Sequence, residues 1–254
     1  MIRAVLSLIT FLISTILGSI LSLLFGLVDR SGDLVLKLCR VWSAVVLGVP
    51  GVKVEIKVRG QIDPHKPYVF MANHASMVDI WAMFLRMPVP VRFIAKKQLG
   101  KIPVFGWAMR AGRFVFIDRQ NAASARRSIQ EAAQRIKEGQ SVAIFPEGTR
   151  TRDGKLGAFK KGGFHLAIDS GVEIVPLAIR GTGAVMPPGT PLIRAGRVEI
   201  EIDEPISTAG LGAGDRQQLL DRVYARIADM LGEPTRRAED GAPPSVGSAS
   251  TQAQ

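Results

Sequence analysis

Residues Ala4 to Val28 run for 25 positions without a charge, bounded by Arg3 on one side and Asp29-Arg30 on the other. As a helix at about 1.5 Å per residue, such a run reaches about 37 Å, enough to cross a hydrocarbon core of about 30 Å with some tilt. A cleaved signal peptide has an apolar region of roughly 7–15 residues ending in a small-residue cleavage site, and neither condition is met. A buried helix of a soluble core is disfavoured by the length. Gly18, Ser22 and Gly26 recur every fourth residue, a small-residue stripe suited to packing against another helix. A re-entrant pair of shorter helices broken near Gly18-Ser19 stands as the alternative to a single crossing. Arg30, Lys37 and Arg40 follow the run and Arg3 alone precedes it, a bias that places the downstream chain on the cytoplasmic side of the cell membrane. Leu34 to Leu47 reads as a second, interfacial helix.

The remaining chain must fold on its own. With 254 residues, 47% hydrophobic and 22% charged, there is apolar mass for a sizeable core, which excludes a disordered protein, a disulfide scaffold and a multi-pass transporter. From Glu233 to Gln254 there is no aromatic, leucine or isoleucine, so this stretch reads as a solvated tail. The organisation expected is an anchoring helical region over 1–50, a folded domain over 51–232 and a disordered tail over 233–254. A single cysteine, Cys39, allows no internal disulfide and reads as a packing residue. His65, His74 and His165 lack ligand spacing, so a metal site is not expected.

The net charge of +11 is local. Between Arg86 and Lys161 there are 17 Lys/Arg and 5 Asp/Glu, a net +12, while the rest of the chain nets −1. Such a block asks for an anionic partner: nucleic acid, a phosphorylated ligand or an acidic membrane surface.

Val52 to Val58 alternates as a half-buried strand, as does Arg197 to Ile202. Short apolar runs at 68–72, 91–95, 113–117, 141–145 and 174–179 fit buried strands. Helical patterns cover 78–85, 122–137, 161–168 and 216–231. This alternation predicts an α/β domain: a mainly parallel or mixed sheet flanked by helices, with ligands at the carboxyl ends of the strands.

Chemistry-bearing residues follow those strands. After 68–72 comes Asn73-His74-Ala-Ser-Met-Val-Asp79. On one continuous helix, positions five apart diverge by about 140°, so the two would not meet. With His74 in the loop and a helix starting near Ser76, Asp79 can turn back and orient the imidazole as a general base. Ser76-x-x-Asp79 also has the form of a capping box, and that reading stays open. Arg113 to Arg119 ends an apolar strand in Asp118-Arg119, which delivers either a phosphate-holding guanidinium or a surface ion pair. Phe145-Pro146-Glu147-Gly148-Thr149-Arg150 combines a rigid turn, a glycine allowing close approach, an acceptor and a cation. Val175-Pro176-Leu177 places a proline in an apolar strand, the mark of an edge strand or a bulge.

These four segments, in this order, resemble the motifs of the glycerolipid acyltransferase superfamily, in particular 1-acylglycerol-3-phosphate acyltransferases. His74 and Asp79 match its His-x4-Asp motif; Phe116 to Arg119, Phe145 to Arg150 and Val175 to Leu177 match the others. Phe159-Lys-Lys-Gly162 is similar to a further family segment, while Met77 stands where many members carry an aromatic residue. The resemblance implies transfer of an acyl group from an acyl carrier protein or coenzyme A thioester to the free sn-2 hydroxyl of 1-acylglycerol-3-phosphate. His74 would be the base, oriented by Asp79. Arg119, Glu147, Gly148, Thr149 and Arg150 would hold the acceptor and its phosphate, with no cofactor and no covalent intermediate. Lys96, Lys97 and Lys101 read as basic surface facing anionic lipid or acidic carrier protein. The alternatives are another lyso-lipid acceptor, such as lyso-ornithine lipid, and a non-catalytic lipid-binding membrane protein. Nucleic acid drops out for want of a recognition motif.

Overall fold

The computed structural model describes residues 2–118, 121–151 and 154–234. The segment 235–254, most of the expected tail, and Arg119 lie outside the described residues.

Two helices open the chain, α1 (Ile2–Val28) and α2 (Asp33–Gly48). Helix α1 passes unbroken through Gly18-Ser19, so the re-entrant pair is not formed. Its hydroxyls keep the apolar helix intact by bonding within it: Thr15 donates to Phe11 O at 2.6 Å and Ser22 to Gly18 O at 2.7 Å. The usual inside-out rule is inverted here. Ser7, Ser19 and Ser22 are buried, whereas Leu12, Ile13, Ile16, Leu17, Ile20 and Leu24 are exposed. Small residues thus face the protein and large apolar ones face outward, as in a helix solvated by lipid. At Gly26 an added Cβ would lie 2.7 Å from the Ala111 Cβ, so the stripe does pack against a helix.

Asp29 closes the turn between α1 and α2. It accepts from Leu34 N–H at 2.7 Å and from the Ser31 N–H and hydroxyl at 2.8 and 2.6 Å, bonds that hold its carboxyl down at about 2. Phe11, Trp42 and Trp81 then pack as a triad with ring centroids 5.4–6.0 Å apart, joining α1 and α2 to the third helix.

Behind them lies a seven-stranded sheet: β1 (Val52–Val58), β2 (Val69–Ala72), β3 (Val91–Lys96), β4 (Val115–Ile117), β5 (Ser141–Ile144), β6 (Ile174–Arg180) and β7 (Gly196–Ile202). The order is β1-β7-β6-β2-β5-β3-β4, parallel throughout except for β6 against β7. The connections hold α3 (Val78–Arg86), α4 (Phe105–Ala111), α5 (Ala122–Lys137), α6 (Gly162–Ser170) and α7 (Thr182–Val185), and α8 (Arg216–Leu231) closes the domain. Alternation along β2 splits the core: Phe70 and Ala72 join the cluster under α2 and α3, and Val69 and Met71 the one under α5, α6 and α8. The predicted class, a mixed α/β sheet flanked by helices, is the one observed.

One expectation needs correction. Pro176 lies on β6, which is an inner strand. The bulge half of that reading fits: Ile174 bridges Ile206 and Leu177 pairs with Ile202, so the partner chain has one more residue between the two pairs. Pro176 faces that gap, where its carbonyl accepts from Asp203 N–H at 3.0 Å and the N–H it lacks is not called for.

The buried Arg92 on β3 ties the α1–α2 turn to this frame. Its guanidinium donates to Ser31 O and Asp33 Oδ1 at 2.8 Å each and to Gly112 O at 3.2 Å.

Candidate active site

The carboxyl end of the central strand β2 delivers Asn73 and His74. Asn73 is buried and exchanges two bonds with Ile179 of β6, donating to its O at 2.9 Å and accepting from its N–H at 2.7 Å. The start of the His74 loop is thereby fixed to the neighbouring strand. The loop turns, α3 begins at Val78, and Asp79 falls in its first turn. Asp79 is fully buried, and its Oδ2 lies 2.7 Å from His74 Nδ1 while accepting from the N–H groups of Ala75 and Ser76 at 2.8 Å each. One oxygen of Asp79 therefore meets the imidazole and holds the loop amides ahead of α3, which is only the return half of the capping-box reading: Ser76 Oγ donates to Met186 O and accepts from Val78 N–H, and Asp79 N–H goes to Ser76 O. A carboxylate at Nδ1 sets the tautomer with Nδ1 protonated, which leaves Nε2 as the basic nitrogen. The His74 ring stacks on Phe145 with centroids 3.9 Å apart, and Phe145 in turn stacks near Phe93.

The adjacent strand β5 brings the second loop to the same edge. Glu147 is buried, and both its oxygens are engaged by the backbone. Oε1 accepts from His74 N–H at 2.7 Å and Oε2 from Gly157 N–H at 2.9 Å. Burial outweighs those bonds and, with the nearby charges of Asp79 and Glu233, pushes its carboxyl up to about 7. Glu147, read from the sequence as shaping a phosphate pocket, gives both oxygens to the backbone and so braces the loops around His74. Gly148 sits at φ +76°, and a Cβ there would lie 3.0 Å from Lys160 Nζ. Thr151 N–H returns to His74 O at 2.9 Å, so the two loops are stitched in both directions.

A cavity of about 690 Å³ opens in front of His74. Gly148, Thr149, Arg150 and Lys96 stand in its wall, and Thr149 and Arg150 are exposed. Away from them the lining is apolar and passes between the α1–α2 pair and the sheet, past Met77, Trp81, Phe84, Met109 and Trp42. Cys39 lines it too, its thiol pushed up to about 12 by burial. The site thus combines an imidazole paired with a carboxylate, cations in the cavity wall and an apolar recess. Among the described residues no group of three or more His, Cys, Asp or Glu is placed to hold a metal ion.

Of the other sequence candidates, Asp118 at the end of β4 pairs with Lys97 at 3.3 Å. Lys101 is exposed. Asn73, Gly157 and the aromatic lining of the recess were missed as site elements. Asn73 stood inside the quoted motif, but nothing in sequence pairs it with a residue 106 positions on.

Residues 53–180 match the acyltransferase family. The 1-acyl-sn-glycerol-3-phosphate acyltransferase of Chlamydomonas reinhardtii is 36% identical over 70% of this chain and 54% of its own length. The chloroplastic enzyme of that name from Arabidopsis thaliana is 34% identical over 66% of this chain and 48% of its own. This chain spans about half the length of these curated relatives. Coverage is nearly complete against the crystal structure of the 1-acyl-sn-glycerophosphate acyltransferase of Thermotoga maritima. There the TM-score is 0.76 at 27% identity, over 93% of this chain and 99% of that one.

Proposed function

The chain belongs to the acyltransferase family, and from that premise we propose that it moves a fatty acyl group from an acyl thioester to the free hydroxyl of a membrane-resident 1-acylglycerol-3-phosphate. The observation that carries this reading is the His74–Asp79 pair at 2.7 Å in the wall of an apolar recess. His74 Nε2 takes the hydroxyl proton as the oxygen attacks the thioester carbonyl, and Asp79 stabilises the imidazolium that forms. When the tetrahedral intermediate collapses, the C–S bond breaks and the imidazolium returns its proton to the departing thiolate. The recess takes the acyl chain, and Arg150, with Arg119 beyond the described residues, answers the acceptor's phosphate. The relatives named for this reaction support the acceptor assignment. The donor is a carrier-protein or coenzyme A thioester.

Helix α1 supports a membrane setting. It is long and apolar enough to cross a bilayer, and its large side chains face outward. Working at the bilayer spares the enzyme the extraction of a lipid chain, at about 0.8 kcal/mol per CH₂. The basic residues after α1 favour a domain on the cytoplasmic side.

The test is a detergent-purified protein given labelled acyl-coenzyme A or acyl carrier protein with a panel of lyso-lipids. Lysophosphatidate should become phosphatidate, and His74→Ala should abolish turnover while the protein stays folded. Arg119→Ala should raise KM for the phosphorylated acceptor. Turnover confined to a phosphate-free lyso-lipid overturns the acceptor, and turnover surviving in His74→Ala overturns the base.

A further inference from the structure

Glu147 braces His74 only as well as its second anchor, Gly157 N–H, is itself held. That anchor lies in the irregular segment that follows the second loop, and the end of α8 grips this segment. Glu233 accepts from Leu156 N–H through both oxygens, at 3.2 and 3.0 Å. The Glu233 backbone is fixed by the helix end: Gly232 turns at φ +72°, and Glu233 N–H bonds back to Ala228 O at 2.9 Å. The Leu156 side chain is buried in the core under α8, and the Tyr224 ring meets Phe159 edge-on at 5.0 Å. Adjacent peptide N–H groups, of Leu156 and Gly157, thus go to two carboxylates, one from α8 and one from the active-site loop. The fit at Gly157 is close, because a Cβ there would stand 2.7 Å from Glu147 Oε2.

We propose that Glu233 is a positioning residue of the active site, holding the 154–157 segment so that Gly157 fixes Glu147 and Glu147 fixes the backbone of His74. Sequence separation hides this connection: Glu233 lies 77 residues from Leu156, Gly157 lies 10 from Glu147, and Glu147 lies 73 from His74. Glu233 is not among the residues that line the cavity. Its effect falls on the angle at which the imidazole is presented, where a displacement of about 1 Å costs about a hundredfold in rate. The proposal rests on the acyl-transfer reading only for its activity readout.

The experiment compares full-length wild type, Glu233→Ala and Glu233→Gln in detergent. Amide hydrogen exchange and steady-state acylation of lysophosphatidate are measured side by side. Glu233→Ala should speed exchange at Leu156, Gly157 and His74 by about tenfold. It should also lower kcat by about ten- to a hundredfold, with both KM values within about twofold of wild type. Glu233→Gln keeps a carbonyl acceptor for Leu156 and should restore most of kcat. Unchanged exchange and kcat in Glu233→Ala refute the proposal. So does a kcat loss that matches the loss of folded protein and is not relieved by Gln. Should wild type fail to acylate lysophosphatidate, the acceptor assignment falls and exchange alone decides: faster at all three amides upholds the connection, unchanged refutes it.

Discussion

Glu147 gives the protein a pH dependence opposite to that of most carboxylates. Its carboxyl is pushed from the ordinary 4.5 up to about 7, chiefly by burial, against the two N–H bonds that favour the charge. Between these values the unfolded chain has released the proton and the folded one keeps it. Stability contributed by this group therefore falls as pH rises from about 4.5 to about 7. At about 1.4 kcal/mol per tenfold change in acidity, the full effect is about 3 kcal/mol. Glu147→Gln removes the titration. It also sets an amide NH₂ against one of the two backbone N–H groups, a loss of about 1–3 kcal/mol at every pH. The signature is thus a difference of slopes and not an offset. Urea unfolding of detergent-purified protein at about pH 5 and about pH 8 should show wild type losing about 3 kcal/mol relative to Glu147→Gln across the interval. Parallel pH dependences in the two proteins refute the reasoning.

Asp79→Asn keeps an oxygen for the Ala75 and Ser76 N–H groups but loses the charge facing the imidazolium. The fold should survive while kcat drops by about 10³–10⁴, read by single-turnover acylation alongside circular dichroism. Gly26→Val should push α1 off α4, because the Ala111 Cβ already stands 2.7 Å from where the new Cβ must go; overpacking of this kind costs about 1–3 kcal/mol, visible in the unfolding midpoint. Arg92→Leu leaves the Ser31 and Gly112 carbonyls without the guanidinium that now serves them and releases Asp33 to solvent. It should cost about 1–3 kcal/mol and make the α1–α2 turn open to limited proteolysis. Cys39, its thiol held up at about 12 inside the recess, should resist alkylation by iodoacetamide at neutral pH until the protein is unfolded.

Much of this was legible in the sequence because the chemistry lies at the ends of short apolar strands. Alternation located β1 and β7, short apolar runs located the other five strands, and the loops after β2 and β5 stood out by composition. Parallel pairing then puts both loops at one sheet edge. What stayed hidden depends on distant partners: Asn73 on Ile179, Glu147 on Gly157, Leu156 on Glu233. The stretch from Lys97 to Ala111 was not assigned, and the reason is local. Gly100, Pro103 and Gly106 interrupt any helical period, and Val104 adopts φ 63°, ψ −58° with Phe105 N–H bonded to Pro103 O at 2.7 Å. That tight γ-turn, at a β-branched residue, has no composition signal. The direction of β7 was also not readable, since alternation reports which face is buried and not which way a strand runs. For Glu147 the residue type suggested a ligand contact, and nothing in it pointed to the two backbone partners.

One oxygen of Asp79 faces the imidazole and also holds the amides of Ala75 and Ser76 in the loop that leads into α3. On the proposed mechanism, a mutation at this position reaches folding and turnover through the same atom. Neither trait can then drift while the other is held, and a lineage that abandoned catalysis would still need an acceptor for those loop amides. An acidic residue at position 79 is accordingly poor testimony that a related chain is active. The companion histidine, whose ring holds no backbone amide, is the better witness.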